Sequence, residues 1–184
     1  MDNTVGKMMT ISDAQQDMRK SHVGGSGGIL VSGTVWLIAG IVSAMVSTFG
    51  GVVTLFLGGM AIYPLGVVFA KGLGGSGQHQ KDNPIAGLAI ESTALLFIGL
   101  FVSFSVYQRQ PNWFFPIMLT TIGGRYILFA TIYGQRLYWL LGTVLALTGA
   151  VMIGVGVPFA FGAFAGGGIE IVFGLIMLWM SKRD

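Results

Sequence analysis

Three charged residues of this sequence lie within long apolar stretches, where a charge is costly and is usually kept for a purpose. They are Glu91, Arg125 and Glu170. An arginine keeps its proton in proteins, so within a membrane it needs a carboxylate partner or water. Two carboxylates facing one arginine would leave one negative charge unbalanced, which predicts that one glutamate binds a proton or a cation. The alternative is a purely structural ion pair that fixes how the helices pack.

The composition places these residues in a membrane protein. Hydrophobic residues make up 53% of the 184-residue chain and charged residues 9%, against about 25% charged residues in a soluble domain. The chain contains no cysteine, which excludes disulfides, thiolate metal sites and cysteine nucleophiles. The basic residues behind the net charge of +3 are scattered singly or in adjacent pairs near the ends of apolar runs, so no nucleic-acid partner is expected. Motifs for phosphate-binding loops, hydrolases and metalloproteases are absent, and we expect no cofactor and no metal site.

Six apolar runs are long enough to cross a bilayer as helices, which takes about 20 residues each. These spans are predicted at Ile29–Thr48, Val52–Ala70, Ile85–Tyr107, Phe114–Tyr133, Leu137–Val157 and Phe159–Met180. The short connections make successive helices antiparallel neighbours. The predicted fold is therefore all-α: a polytopic membrane protein of six transmembrane helices in three antiparallel hairpins.

A short amphipathic helix is predicted before the first span, over about Asp13–His22. Ser12 and Gln15 have the spacing of a capping box at its start, and the glycine-rich stretch Gly24–Gly28 predicts a flexible hinge after it. The helix either lies on the membrane surface or frays in solvent. An N-terminal segment, a transmembrane domain and a tail are predicted at residues 1–28, 29–180 and 181–184.

The positions of lysine and arginine predict the orientation in the membrane. With the N-terminus in the cytoplasm, the basic residues on that side are Lys7, Arg19, Lys20, Lys71, Lys81, Arg136, Lys182 and Arg183. Only Arg109 then faces the other side, which is the distribution that the positive-inside rule favours. Both termini are therefore predicted to be cytoplasmic.

The depth of each charge in the membrane follows from the helix rise of 1.5 Å per residue. Glu91 is predicted at roughly 10 Å from the cytoplasmic end of its helix, Arg125 at roughly 12 Å and Glu170 at roughly 15 Å. Other polar side chains at this level are further candidates for binding a substrate or an ion: Tyr63, Tyr126, Thr121 and Ser92. Depth does not give the rotation of a helix, so pairing of Arg125 with Glu91, with Glu170 or with both stays open.

Double glycines recur in the second, fourth and sixth spans. They are Gly58-Gly59, Gly123-Gly124 and Gly167-Gly168. Small residues let membrane helices approach closely, so each pair predicts a close-packing point. The recurrence suggests three related hairpins about a pseudo-threefold axis.

The segments TISDAQQDMRKS, LAIESTALL and WFFPIMLTTIGGRYILFATIYGQRLYW are similar to those of a family of small bacterial multi-pass membrane proteins. This family is classed as a domain of unknown function, and the resemblance runs from Thr10 to about Trp179. It implies a helical protein of the bacterial inner membrane. It implies no substrate, activity or cofactor, so the functional prediction depends on the residues alone.

Three functions fit these residues. The first is a transporter or channel-like protein for a small solute, an ion or a proton, because charges within membranes mark transport paths. The second is a non-catalytic assembly or lipid-binding protein, alone or as a homo-oligomer, whose ionic cluster is structural. The third is an enzyme acting on a lipid-linked substrate, with a glutamate as general base. No motif supports it, and the chain is more readily understood as a non-enzyme.

Overall fold

The computed structural model describes residues 9–183 and is helical along most of that range. Its α-helices are α1 (Ile11–His22), α2 (Ser26–Met45), α3 (Thr48–Gly72), α4 (Gly87–Tyr107), α5 (Phe114–Tyr133), α6 (Leu137–Val155) and α7 (Phe159–Ser181), with short 3-10 turns at Val23–Gly25 and Pro111–Trp113. The first eight residues of the predicted N-terminal segment, Lys7 among them, and the last residue of the predicted tail lie outside the described residues.

The prediction of six spans is confirmed. Helices α2 to α7 are all long and apolar enough to cross a membrane, and the chain is an integral membrane protein of the all-α class. Predicted and observed ends differ by at most four residues. The largest shift is at the start of α3, where the Ser47 side chain accepts a hydrogen bond from the Gly50 N–H at 2.9 Å and so caps the helix at Thr48. We name the end of the bundle at which α1 lies the α1 end.

Helix α1 begins two residues earlier than predicted, and its capping box is a different one. The Thr10 hydroxyl accepts from the Asp13 N–H at 3.2 Å, and the Asp13 carboxylate accepts from the Thr10 N–H at 3.2 Å. The prediction of Ser12 and Gln15 as the capping pair is therefore wrong. Instead of capping the helix, the Gln15 side chain reaches across to the end of α5, where its amide donates to the Thr131 carbonyl at 2.8 Å.

The apolar face of α1 packs on the bundle. Ala14 and Met18 are buried, and Arg19 donates to the Tyr133 carbonyl at 2.7 Å. Carbonyls of the last helical turn have no partner within their own helix, so side chains from elsewhere commonly satisfy them. In this way α1 covers the end of α5 and does not fray in solvent.

The turn between α1 and α2 is packed, in contrast to the flexible hinge expected from its glycines. Val23, Gly24 and Gly25 have positive φ angles of 50°, 63° and 78°, which separate α1 from α2 by a kink. The buried Tyr138 hydroxyl of α6 donates to the Gly24 carbonyl at 2.8 Å. At Gly25 a side chain would meet that same hydroxyl. Glycine is therefore required here by both backbone conformation and space.

The connection between α3 and α4 also packs on α1. The two histidines of the chain, His22 and His79, are distant in the sequence and meet here with ring centroids 6.1 Å apart. The Gly77 N–H donates to the Ser21 carbonyl at 2.8 Å. The buried Asn83 side chain donates to the Ala14 carbonyl at 3.0 Å and to Asp17 at 2.8 Å, and accepts from the Ile85 N–H at 3.1 Å. Asn83 thus joins α1 to the start of α4.

Replacing Asn83 by alanine is expected to loosen α1. The change leaves the buried Ile85 N–H without its acceptor, which costs about 1–3 kcal/mol, and it removes the hydrogen bonds to Ala14 and Asp17. Amide hydrogen exchange of α1 should rise in Asn83→Ala and stay unchanged in Gln78→Ala, since Gln78 is an exposed residue of the same connection. Equal exchange in the two variants would mean that this side chain does not hold α1.

Two groups of helices form the bundle. Helix α2 packs against α3 on one side and α7 on the other, while α5 packs against α6 and α4. The groups meet toward the end opposite α1, where Trp36 and Phe115 lie 5.7 Å apart and Phe115 and Phe159 lie 4.8 Å apart, and again at mid-membrane through Tyr126 and Glu170. Helices α6 and α7 pack less on each other than on α5 and α2, so the packing does not follow a pseudo-threefold repeat of hairpins.

The double glycines are close-packing points, but only through their first members. An added Cβ at Gly58 would lie 2.5 Å from Val35, and at Gly123 it would lie 2.5 Å from the Gly142 carbonyl oxygen. At Gly167 it would lie 2.8 Å from the Gly33 carbonyl oxygen. The glycines that follow, at positions 59, 124 and 168, have no such neighbour within 4 Å. The predicted contacts therefore exist, and each uses one face of its helix.

Candidate functional site

Glu170 is the most deeply buried of the three charged residues singled out in the sequence. It lies in the middle of α7 and its side chain is 0% exposed. The glycines at this level bring α2 against it: a Cβ added to Gly33 would lie 3.1 Å from the Glu170 Cβ. The close approach of α2 and α7 thus places the carboxyl group inside the bundle, toward α5.

The Glu170 carboxyl group is only half satisfied by hydrogen bonds. The Tyr126 hydroxyl of α5, itself buried, donates to Glu170 Oε1 at 2.8 Å. The Ser32 hydroxyl of α2 is a neighbour of both groups. Glu170 Oε2 is buried and accepts no hydrogen bond of ordinary geometry from the described residues, although the Ser32 hydroxyl lies near the carboxyl group. Because nearly all buried polar atoms in proteins have partners, this oxygen is free to bind a proton, a cation or a water molecule.

Arg125 lies beside this pair but does not form an ion pair with it. Its Nε donates to the Ser92 hydroxyl and a terminal nitrogen to the Thr93 hydroxyl, each at a long 3.4 Å. Its guanidinium also lies 5.1 Å from the centre of the Phe129 ring. Glu170 acts on Arg125 only at longer range. Of the pairings that the sequence left open for Arg125, the structure therefore shows no ion pair with either glutamate, and only Glu170 lies near enough to act on its charge.

Glu91 is outside the site. Its side chain is exposed on the outer face of α4, although the next residue, Ser92, is buried and turned toward Arg125. Helix α4 begins at Gly87, so Glu91 lies only about 6 Å from the helix end instead of roughly 10 Å. Near the end of a span a carboxylate can reach water, and its charge needs no buried partner.

Two other candidate residues, Tyr63 and Thr121, also point away from Glu170. Tyr63 is 71% exposed on α3. The Thr121 hydroxyl donates to the Ile117 carbonyl of its own helix at 2.9 Å, and its side chain fills the space beside Gly99 of α4. The structure thus brings Tyr126 and Glu170 together, and Ser92 and Arg125 together. Whether any of these residues binds a substrate stays a prediction.

Sequence reasoning missed a column of aromatic residues between Glu170 and α1. The rings of Tyr126 and Tyr138 lie 6.0 Å apart, and those of Tyr133 and Tyr138 lie 5.3 Å apart. Phe129 packs edge-on against all three. The spacing of residues 126, 129 and 133 places them on one face of α5, a signal that was present in the sequence. Together with α1, this column closes the α1 end above the carboxyl group.

The buried carboxyl group is not exposed at the surface in this conformation. Aromatic residues pack below it toward the opposite end, around Trp36 and Phe115. Two surface grooves lie at that opposite end, along residues 147–157 at the end of α6 and 105–110 at the end of α4, and neither contains Glu170 or Arg125. Among the residues that the structure describes, no group of three histidine or acidic side chains could hold a metal ion. What the site can do chemically is bind and release a proton or bind a small cation at one carboxyl group.

Comparison with known proteins gives a family but no activity. A family model matches residues 11–180, and that family is described only as one of unknown function. No curated protein and no solved structure matches the chain.

Proposed function

We propose a function for this chain from its own residues, because the chain belongs to DUF7010, a family whose function is unknown. The proposed function is transport of a small solute or ion across the membrane, with Glu170 as the group that carries a proton or a cation. The alternative function is that of a non-catalytic assembly protein.

One observation carries the proposal: Glu170 is completely buried in a membrane helix, and one of its oxygens accepts no hydrogen bond of ordinary geometry from the described residues. A carboxyl group kept only for packing is expected to be fully hydrogen-bonded, because an unsatisfied buried polar atom costs about 1–3 kcal/mol. A charge without an ion pair costs more. Such a group is retained at this cost when it exchanges a ligand.

The packing around Glu170 is tight. Helix α7 meets α2 and α5 through glycines, among them Gly162, Gly166 and Gly174, and large side chains of α2 and α5 fill the space beside each of them. With aromatic packing on one side and α1 on the other, the conformation fits an occluded state of a transporter.

The distribution of charge supports an orientation with the α1 end in the cytoplasm. Exposed basic side chains gather at that end: Lys20, Lys71, Lys81, Arg136, Lys182 and Arg183. Arg109 is exposed at the opposite end. By the positive-inside rule the α1 end is cytoplasmic, and the resemblance of the chain to bacterial proteins favours the inner membrane.

Flux measured in vesicles tests the proposal. The purified protein is reconstituted into liposomes containing a pH-sensitive dye, and gradients of inorganic ions are imposed with and without a membrane potential. We expect a proton flux above that of empty liposomes, lost in Glu170→Gln and retained in Glu91→Gln, because Glu91 lies on the outer face of α4. Tyr126→Phe, which removes one hydrogen bond to Glu170, is expected to change the flux without abolishing it.

Infrared spectroscopy supplies a second readout that does not need the transported solute. A pH titration of the natural chain should show a carboxyl signal that is absent in Glu170→Gln. If folded protein gave neither this signal nor any flux, the carboxyl group would be structural.

The assembly function is favoured by the outer faces of α3 and α4. Both helices expose large apolar side chains along most of their length, including Met60 and Phe101, and each packs mainly on one neighbour. These faces are available to a second copy or to another membrane protein. Equal behaviour of Glu170→Gln and the natural chain, combined with a dimeric mass in detergent, would favour this function over transport.

A further inference from the structure

Arg125 carries a positive charge that no acidic side chain of the described residues neutralises. Its contacts are two hydroxyl groups and one aromatic ring. The nearest buried carboxyl group, that of Glu170, is hydrogen-bonded to Tyr126. A guanidinium has five N–H donors and stays charged, so most of its hydrogen-bonding capacity is unused. This arrangement leaves the charge available for an anion from outside the chain.

The side of the bundle next to Arg125 is open. Helix α4 packs on α5, and α3 packs on α2, while α3 and α4 pack little on each other over their membrane-spanning length. Arg125 is only partly buried, and Gly124 beside it has empty space where a side chain would lie. Arg125 therefore lies on the side of the bundle where α3 and α4 leave a gap.

The chemistry of this opening suits an oxyanion. A guanidinium binds phosphate with two parallel hydrogen bonds, and these are stronger than bonds between neutral groups. The Arg125 guanidinium reaches the hydroxyls of Ser92 and Thr93, which lie five and six residues into α4 and so roughly 8–9 Å from the α1 end of that helix. Phosphate is the oxyanion that the adjoining headgroup layer supplies.

We propose that Arg125 binds a phosphate group in the opening between α3 and α4. The phosphate belongs either to a phospholipid that enters from the side or to free phosphate that enters from the α1 end. The site is separate from proton or cation binding at Glu170, and it would exist in a transporter and in an assembly protein alike.

Lipid and phosphate binding can be measured on the whole purified protein in a phosphate-free detergent. Native mass spectrometry counts retained phosphatidylglycerol, and thermal unfolding is followed with phosphatidylglycerol, with diacylglycerol of the same chains, and with inorganic phosphate. We expect phosphatidylglycerol to raise the unfolding temperature of the natural chain more than diacylglycerol does. In Arg125→Gln we expect about tenfold weaker binding, which corresponds to about 1.4 kcal/mol.

Two further variants make the result specific. Arg125→Lys keeps the charge but not the paired hydrogen bonds, so it should bind at an intermediate level and fold normally. Arg183→Gln removes an exposed arginine that lies over Trp179 at the same end, and it should bind as the natural chain does. Stabilisation by inorganic phosphate would identify the free anion as the ligand. Equal binding in the natural chain and both Arg125 variants would overturn the proposal.

Discussion

Replacing Gly123 by alanine is expected to destabilise the protein, while the same replacement at Gly124 is expected to stabilise it slightly. A Cβ at Gly123 would lie 2.5 Å from the Gly142 carbonyl oxygen and 2.7 Å from the Ala146 nitrogen, both backbone atoms of α6. Backbone atoms cannot turn aside as a side chain can, so the two helices must separate. Overpacking of this kind costs about 1–3 kcal/mol. At Gly124 no atom lies within 4 Å, and alanine adds about 0.5–1 kcal/mol of helix stability over glycine.

Thermal unfolding in detergent, followed by tryptophan fluorescence, measures both effects on neighbouring residues of one helix. Gly142→Ala should resemble Gly123→Ala, because its Cβ would meet the Gly123 carbonyl oxygen at 2.5 Å. The double variant should lose less than the sum of the single losses, since one separation of the helices relieves both contacts. Equal changes in unfolding temperature for Gly123→Ala and Gly124→Ala would contradict the close crossing of α5 and α6.

The second large effect is expected at Gly25, where alanine should release α1 from the bundle. Gly25 has a φ of 78°, a conformation that costs a residue with a Cβ about 1–2 kcal/mol. The added Cβ would also meet the Tyr138 hydroxyl and would lie 3.1 Å from the Tyr133 ring. Both rings are buried and packed on each other, so the turn must move instead. Gly28→Ala is the matched control, because nothing lies within 4 Å of that position.

Limited trypsin digestion measures the release of α1. Arg19 is held against the Tyr133 carbonyl in the natural chain, and cleavage at Arg19 and Lys20 should be slow there and in Gly28→Ala. In Gly25→Ala it should become fast while the spans remain folded, as judged by circular dichroism. Slow cleavage in all three proteins would mean that the turn does not determine how α1 docks.

The sequence was sufficient to predict the class of the fold because the signals involved are one-dimensional. A span needs only length and hydropathy, and both are read directly from the chain. The first glycine of each double pair was likewise found at a helix contact, since small residues in membrane helices mark close approach. The positions of Gly123 and Gly124 show the limit of this reasoning. Nothing in the sequence distinguished the packed glycine from the open one.

The sequence could not predict which face of each helix is buried in the bundle. Helices that are apolar all round carry no polar stripe to indicate which side is buried. Glu91 and Glu170 both lie in apolar runs, yet one is exposed and the other is 0% exposed. Part of the difference could have been anticipated, since the Asn83-Pro84 pair is a turn signal and moves the start of α4 to Gly87. The position of Ser32 beside Tyr126 and Glu170 could not have been anticipated, because it depends on how α2 is rotated about its axis.

The contacts of α1 also have a consequence for how the protein is made. Arg19 and the Tyr133 carbonyl that it binds are separated by 114 residues. At a synthesis rate of about 5–20 residues per second, the docking position of α1 is completed about 6–23 s after α1 itself leaves the ribosome. During that interval several spans enter the membrane without their cover. The N-terminal helix is therefore one of the earliest segments to be translated and one of the last to reach its final position.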